Sequence, residues 1–101
     1  MKISIITASY NAASSIERTI NSILMQTYDN IEYIIIDGGS TDSTNNIIEK
    51  YQDNIDIYIS EKDDGIYDAL NKGISLSSGD VIGFLHADDF YPQNDIIKKV
   101  S

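Results

Sequence analysis

The chain has 101 residues, of which 42% are hydrophobic and 23% are charged, and it contains no cysteine. This length fits one domain or part of one, and the lack of cysteine excludes disulfides, thiolate metal sites and a cysteine nucleophile. Sixteen acidic residues against seven basic ones give a formal net charge of −9, which argues against nucleic acid and anionic lipid as partners because both require clustered basic residues.

The first part of the chain predicts a strand followed by a helix. Residues 3–8 form an unbroken run rich in β-branched residues, which is typical of a strand buried on both faces. The run is too short for a secretory signal or a membrane span, so we expect neither in this segment. Ser14 and Glu17 have the spacing of a capping box. The apolar stripe of the helix that follows consists of Ile16, Ile20, Ile23 and Leu24.

The middle of the chain predicts two further strands, each followed by a helix. Residues 31–37 read as a second buried strand, and the glycine-containing turn at 38–42 leads into a second helix. Residues 56–60 read as a shorter third strand, and residues 65–76 as a third helix. The buried stripe of that helix is expected to consist of Ile66, Leu70 and Ile74.

The last part predicts a fourth strand at 81–85 and a final helix, for which Pro92 suits the first turn and which would run to Val100. The order is therefore βαβαβαβα. Strands that alternate with helices indicate an α/β fold, with a Rossmann-like, mostly parallel sheet and helices on both faces.

Polar side chains follow each of the four predicted strands, in residues 9–11, at Asp37, in residues 61–64 and in residues 86–89. In such sheets, ligands bind beyond the carboxyl ends of the strands, so we expect these side chains to converge. The adjacent carboxylates of Asp88 and Asp89 repel each other. A Mg²⁺ or Mn²⁺ ion would compensate them and could join this acidic protein to an anionic ligand.

Each of these residues also has an ordinary structural explanation. Asp37 suits a hydrogen bond to a ribose or a base, but equally a turn or a helix cap. Tyr10 suits stacking on a base, but also covering the rim of the sheet. Asp63 fits turn chemistry better than binding, His86 fits a structural histidine, and Asp88 fits a helix cap. The residues alone leave these alternatives open.

Four segments carry more information when they are read together: residues 3–11 (ISIITASYN), 34–42 (IIIDGGSTD), 64–73 (DGIYDALNKG) and 78–89 (SGDVIGFLHADD). In order and spacing they resemble the family 2 glycosyltransferases, which have the GT-A nucleotide-sugar-binding fold. The family counterparts are an opening strand with a Thr/Ser-Tyr-Asn turn, the signature V-D-D-G-S-T-D, the helix G-x-x-x-A-x-N-x-G, and a strand that ends in the DxD metal motif. The wording of the third segment is closest to bacterial polysaccharide-building enzymes.

The resemblance implies a site for a nucleotide sugar, with a UDP-sugar as the expected donor. The implied nucleotide contacts are Ser9, Tyr10, Asn11, Asp37, Asp64, Lys72 and Ala87, with Tyr10 against the uracil and Asp37 hydrogen-bonded to it. The implied ligands of Mn²⁺ or Mg²⁺ are Asp88, with Asp89 and His86 as further candidates. The implied reaction is inverting sugar transfer to a hydroxyl of a glycan or lipid-linked acceptor, in surface polysaccharide or glycan synthesis.

The chain departs from the family pattern at three positions and in length. Ala8 replaces the usual proline, Gly38 replaces the second Asp of the signature, and His86 replaces the first Asp of DxD. Family members are longer, and their catalytic base lies downstream of DxD. We therefore expect residues 1–101 to be the nucleotide-sugar-binding part of a domain truncated at its C-terminus, inactive by itself and cytoplasmic, with any attachment to the inner membrane face made by segments outside the chain.

Three other classes of protein compete with this interpretation. A non-catalytic nucleotide-binding or regulatory module would keep the pocket without the chemistry. A nucleotidyltransferase usually opens with a glycine-rich basic loop, whereas residues 9–15 contain no glycine, lysine or arginine. A flavodoxin-like receiver domain needs a phosphoacceptor aspartate at the end of its third strand, whereas the third strand here ends at Ser60.

Overall fold

The structure is a computed structural model that describes residues 1–63, 65–91 and 97. Strands and helices alternate along the chain, as the sequence predicts. In chain order they are β1 (Ile3–Ser9), α1 (Ile16–Leu24), β2 (Ile31–Asp37), α2 (Thr44–Glu49), a 3₁₀ turn (Gln52–Asn54), β3 (Ile57–Ser60), α3 (Ile66–Leu76) and β4 (Val81–Phe84). The predicted helix over 92–100 and the predicted contact residue Asp64 lie outside the described residues.

The four strands form one parallel sheet in the order β3-β2-β1-β4. Ser9 of β1 pairs with Asp37 of β2, and Asp37 pairs in turn with Ser60 of β3. The chain builds outward from β1 to β3 and then crosses back to place β4 on the other side of β1. The strand order therefore reverses between β1 and β4, which is where open α/β sheets bind ligands.

Helices cover both faces of the sheet, which confirms the predicted fold class. On one face, Ile5 and Ile35 pack in a cluster with Ile20 of α1 and Ile48 of α2. On the other face, Ile34 lies in a second cluster with residues of α3. Along β1 and β2, hydrophobic side chains at odd-numbered positions belong to the first cluster and those at even-numbered positions to the second, because successive residues of a strand point to opposite faces of the sheet.

The buried side of α3 differs from the prediction. Ala69 and Gly73 are its buried residues, whereas Ile66 is 46% and Ile74 42% exposed. A Cβ built at Gly73 would lie 2.5 Å from Ile6 Cγ2, so α3 approaches β1 closely and only small residues fit between them. Of the predicted stripe, Leu70 packs partly buried against this core.

The predicted capping box at the start of α1 is also wrong. The N-cap residue is Ser15, one position after Ser14, and no side chain caps the helix there. The Ser15 hydroxyl instead donates a hydrogen bond to the carbonyl oxygen of Ala87, at 2.9 Å. The start of α1 is therefore joined to the loop that follows β4.

Strand β4 lies at the side of the sheet. Within the described part of the chain it pairs with β1 alone, and its residues Ile82 and Phe84 are 36% and 46% exposed.

No helix in residues 1–63 and 65–91 has the length and apolar character needed to cross a membrane.

Candidate nucleotide-binding site

Two clefts open at the carboxyl ends of the strands. The first, of about 600 Å³, lies beyond β1 and β2 and is bounded by the start of α3; Gly38 and Asp63 are among its lining residues. The second, of about 510 Å³, lies between the ends of β1 and β4 and is lined by Asn11 and Asp88, among others. Tyr10 and Ile66 line both clefts, so the two clefts adjoin, and together they are called the groove below. The residues predicted to converge at this edge of the sheet therefore do so in large part.

Asp37 lies beneath the first cleft, fully buried. Its Oδ1 accepts hydrogen bonds from the hydroxyls of Ser9 (2.7 Å) and Ser40 (2.6 Å). Its Oδ2 accepts from the N–H groups of Gly39 (3.1 Å) and Ser40 (2.8 Å) and from the Ser60 hydroxyl (3.0 Å). The carboxylate thus joins the ends of β1, β2 and β3, and a direct hydrogen bond to a base would require one of these donors to be displaced.

The protonation of Asp37 follows from the same contacts. Burial by itself raises the pKa of a carboxyl group, but the hydrogen bonds from Ser40, Ser9 and Ser60 outweigh it, and the pKa of Asp37 lies below its ordinary value. The group is therefore a charged carboxylate at neutral pH. This charged group accepts hydrogen bonds from the residues that end β1 and β3 and from the loop after β2.

The loop after β1 is held against the loop after β2. Asn11 adopts a φ of +48°, a left-handed conformation that asparagine tolerates better than most residues. Its N–H donates to the Ser40 hydroxyl (2.8 Å), and its Oδ1 accepts from the Thr41 N–H (2.8 Å). Tyr10, which precedes it, is 62% exposed on the shared wall of the two clefts. The N–H and Oδ1 of Asn11 are used within the protein, whereas the Tyr10 ring is exposed to a ligand.

The loop after β4 forms the far wall of the second cleft, with His86, Ala87 and Asp88 in its lining. The Ala87 carbonyl oxygen accepts hydrogen bonds from the hydroxyls of Ser15 and Thr19, each at 2.9 Å. His86 Nδ1 is buried and has no hydrogen-bond partner among the described residues. This wall is therefore fixed by α1, and the imidazole of His86 within it has one buried nitrogen without a described partner.

The three predicted metal ligands are not brought together as a set. His86 and Asp88 line the second cleft, whereas Asp89 is exposed outside its lining and donates its N–H to the His86 carbonyl oxygen, at 3.0 Å. Across residues 1–63, 65–91 and 97, no group of three histidine or acidic side chains could hold a metal ion by itself. A cation at this wall would need further ligands from water or from a bound molecule.

Lys72 lies apart from the groove. Its Nζ is 3.1 Å from Glu61 Oε1 and 3.5 Å from Asp68 Oδ2, and it is not among the described residues that line either cleft. The Glu61 carboxylate, followed by Asp68, raises the pKa of Lys72 above its ordinary value. In this structure the Lys72 ammonium group therefore pairs with Glu61 and Asp68 and does not lie at the groove.

Sequence reasoning missed two kinds of residue. Thr19 is a fully buried polar side chain on the apolar side of α1, and that position within the stripe was the signal that it bonds to another element. Asp63 was assigned to turn chemistry, and its Oδ1 does accept the Gly65 N–H at 3.0 Å. Its carboxylate nevertheless also lines the first cleft, which the sequence did not indicate.

A parallel α/β sheet with a groove across its switch point is shared by open α/β nucleotide-binding folds in general, and its likeness to solved glycosyltransferases places this sheet in the GT-A class. The S. aureus protein TarS, residues 1–349, in complex with UDP-GlcNAc superposes with a TM-score of 0.90 and 27% identity, covering 99% of this chain and 30% of that one. Glucosyl-3-phosphoglycerate synthase from Mycobacterium tuberculosis, in complex with Mn²⁺, UDP and phosphoglyceric acid, gives a TM-score of 0.76 and 25% identity over 92% of this chain and 35% of that one.

The chain belongs to the Glycosyl transferase family 2, which it matches over residues 4–100. An uncharacterized glycosyltransferase of Mycobacterium tuberculosis is 38% identical over 96 residues, which cover 94% of this chain and 37% of that relative. The family membership expected from the four motifs is thus confirmed. The chain spans well under half the length of the curated relative.

Proposed function

We propose that this chain is the nucleotide-sugar-binding part of an inverting glycosyltransferase and that it binds a UDP-sugar along the groove. The observation that carries this is that the two clefts adjoin at Tyr10 and Ile66. The first cleft would take uridine, with the base against Tyr10, and the second would take the diphosphate. The volume of the first cleft lies within the range of small-molecule sites, and the two solved relatives bind UDP-GlcNAc and UDP.

The predicted nucleotide residues would divide into two roles. Tyr10 and Ala87 line the groove and would contact the ligand directly. Ser9, Asn11 and Asp37 would act mainly by fixing the loops, because their polar groups already bond within the protein. Direct contacts from Asp64 and Lys72 stay predictions of the family resemblance.

A Mn²⁺ or Mg²⁺ ion would be held by Asp88 and His86. His86, whose buried Nδ1 has no described partner, and the exposed Asp88 both line the second cleft. Two protein ligands suit a divalent cation that completes its shell with water and phosphate oxygens. When bound, such a cation would neutralise charge on the leaving nucleoside diphosphate. Because the described residues offer no complete metal site, we expect the ion to bind together with the nucleotide; Asp89 would contribute little.

Calorimetric titration with UDP, with and without Mn²⁺, tests this proposal. We expect binding that strengthens with Mn²⁺, and we expect Asp88→Asn to weaken it at least tenfold, about the effect of losing one charged ligand contact. Asp89→Asn is the matched control, because it removes the same charge one residue away and outside the cleft, and it should bind like the unaltered chain. Absence of UDP binding by a chain that circular dichroism shows to be folded would contradict the proposal, as would binding indifferent to metal.

The acceptor site and the catalytic base would lie outside these 101 residues, since the chain covers 37% of its relative's length. The acceptor would be a glycan or a lipid-linked hydroxyl compound, and the whole enzyme would use cytoplasmic nucleotide sugar. The chain alone should then bind the donor without transferring it. Sugar transfer by the isolated chain, followed with a radiolabelled UDP-sugar and a mixture of glycan acceptors, would show this division to be wrong.

A further inference from the structure

Gly38 is a departure from the family signature, which has aspartate there, and the structure indicates what glycine permits. The left-handed glycines among the described residues are Gly39 and Gly65, with φ of +83° and +112°, so the backbone of Gly38 does not require glycine. Space is the limit instead. A Cβ at Gly38 would lie 3.0 Å from each carboxylate oxygen of Asp63. The place beside Gly38 is therefore taken by the carboxylate of another residue.

Asp63 comes to this place from the loop between β3 and α3, and its orientation is fixed. Its Oδ1 accepts the Gly65 N–H at 3.0 Å, an Asx-type turn that holds the side chain toward Gly38. It is the one carboxylate among the described residues that line the first cleft, and Lys62 beside it is the one cation. Asp37 below cannot replace it without breaking its own hydrogen bonds.

We propose that Asp63 is the residue that selects the base, by accepting the N3–H of uracil. This inference rests on the proposed function. The pairing edge of uracil presents one N–H, and a carboxylate oxygen is a strong acceptor for it. Cytosine has the same size but presents a lone pair at N3, which a carboxylate repels. The cleft therefore selects between two pyrimidines by charge and hydrogen bonding rather than by shape.

The experiment compares UDP with CDP in the presence of Mn²⁺. Both carry the same diphosphate, so the comparison cancels the contribution of the second cleft and isolates the base. We expect the unaltered chain to bind UDP at least about tenfold more tightly than CDP, the effect of one hydrogen bond to a charged group. The diphosphate of 3-methyluridine, which lacks the N3–H, should bind as weakly as CDP, and this measurement requires no variant to fold.

Asp63→Asn makes the test specific to this side chain. An amide can present either its oxygen or its nitrogen, so the preference for UDP over CDP should fall to within about threefold. Asp53→Asn is the matched control: it removes the same charge from an exposed residue of the 3₁₀ turn, and it should keep the full preference.

The outcomes separate the two proposals. If the folded chain binds UDP with metal dependence but binds CDP equally well, or if Asp63→Asn keeps the full preference, the role of Asp63 is overturned and the proposed function stands. If the folded chain binds neither nucleotide, both are overturned.

Discussion

Strand β2 carries a buried carboxylate near each end, Glu32 and Asp37. Both accept several hydrogen bonds from serine hydroxyls and backbone N–H groups, but the donors come from different segments of the chain. Asp37 at the carboxyl end is held by serine hydroxyls and backbone N–H groups. Glu32 at the amino end accepts from the Ser4 hydroxyl (2.8 Å), the Ser78 N–H (2.8 Å) and the Ser78 hydroxyl (2.9 Å). It also lies 3.5 Å from Lys2 Nζ. Both carboxylates join loops to strands.

The difference is what lies above each carboxylate. The loops around Asp37 form the wall of a cleft, whereas the loop around Glu32 closes onto β1, where the Gly79 N–H donates to the Ser4 hydroxyl at 2.8 Å. Burial and hydrogen bonding are therefore alike at the candidate binding site and at a purely structural contact, and the cleft beside Asp37 is what differs.

Truncation of either carboxylate should lower the free energy of unfolding more than any other change considered below. The two variants should differ in their affinity for UDP. Asp37→Ala and Glu32→Ala each leave several buried donors without an acceptor, and each should lower the free energy of unfolding by about 4 kcal/mol. Urea denaturation measures this.

Binding of UDP to the fraction that remains folded should then distinguish the variants. Asp37→Ala should bind UDP more weakly because the loop after β2, which contacts the loop that carries Tyr10, loses its hydrogen bonds to the Asp37 carboxylate. Glu32→Ala should bind UDP with the affinity of the unaltered chain. Equal loss of UDP affinity in both variants would mean that the two ends are not independent.

Acid should act through Glu32 over a defined range. Burial raises the pKa of Glu32, but the hydrogen bonds from Ser78 and Ser4 and the charge of Lys2 outweigh it and lower the pKa from 4.5 to about 2. Because the folded pKa is the lower one, the stabilisation is complete above pH 4.5 and is lost as the pH falls toward 2. Between pH 6 and pH 2.5 this loss should amount to about 2–3 kcal/mol.

The matched variant for this measurement is Glu32→Gln. It has no titrating group at position 32. Its free energy of unfolding, measured by urea denaturation at pH 6 and pH 2.5, should therefore fall by about 2–3 kcal/mol less than that of the unaltered chain. The same slope in both proteins would assign the acid sensitivity to other carboxylates, with Asp37 first among them because its pKa is also lowered.

The glycines near the two ends provide the smallest and most local comparison. A Cβ at Gly79 would lie 2.7 Å from the backbone nitrogen of Ser4, whereas the nearest atoms to a Cβ at Gly38 belong to a side chain, the carboxylate oxygens of Asp63 at 3.0 Å. Gly79→Ala should therefore destabilise the fold by about 2 kcal/mol, and Gly38→Ala by less than about 1 kcal/mol. Thermal unfolding of both variants measures this, and a larger loss in Gly38→Ala would show that Asp63 is held more rigidly than one Asx turn implies.

The strands were predictable from the sequence because parallel strands that are buried on both faces have continuous runs of apolar residues. Residues 31–37 were predicted and observed without a change of boundary, and the other strands differ by one residue at one end. The buried side of α3 was not predictable in this way. Ile66 and Ile74 fit a helical apolar period, but the close approach of α3 to Ile6 selects Ala69 and Gly73 instead, and sequence periodicity does not report the distance between elements.

The position of the site was predictable from topology, and its chemistry only in part. The rule that ligands bind at carboxyl ends located Tyr10 and Asp88 correctly on the groove. It did not separate Asp88 from Asp89, because adjacent residues differ only in the direction that the loop gives them. Nor did it reveal that Asp63 fills the space beside Gly38, a contact between residues 25 positions apart in the sequence.

The side of β4 that pairs with none of the described strands has a consequence for how the chain behaves in bulk solution. A short apolar strand at the edge of a sheet is a template on which a second copy can add, and residues 81–85 (VIGFL) contain no charge to oppose it. What opposes it is the net charge of −9, whose repulsion reaches about 10 Å at 0.1 M salt and about 3 Å at 1 M. Colloidal stability should therefore decline as salt is added, and dilute buffer is the medium in which the chain is best kept dispersed.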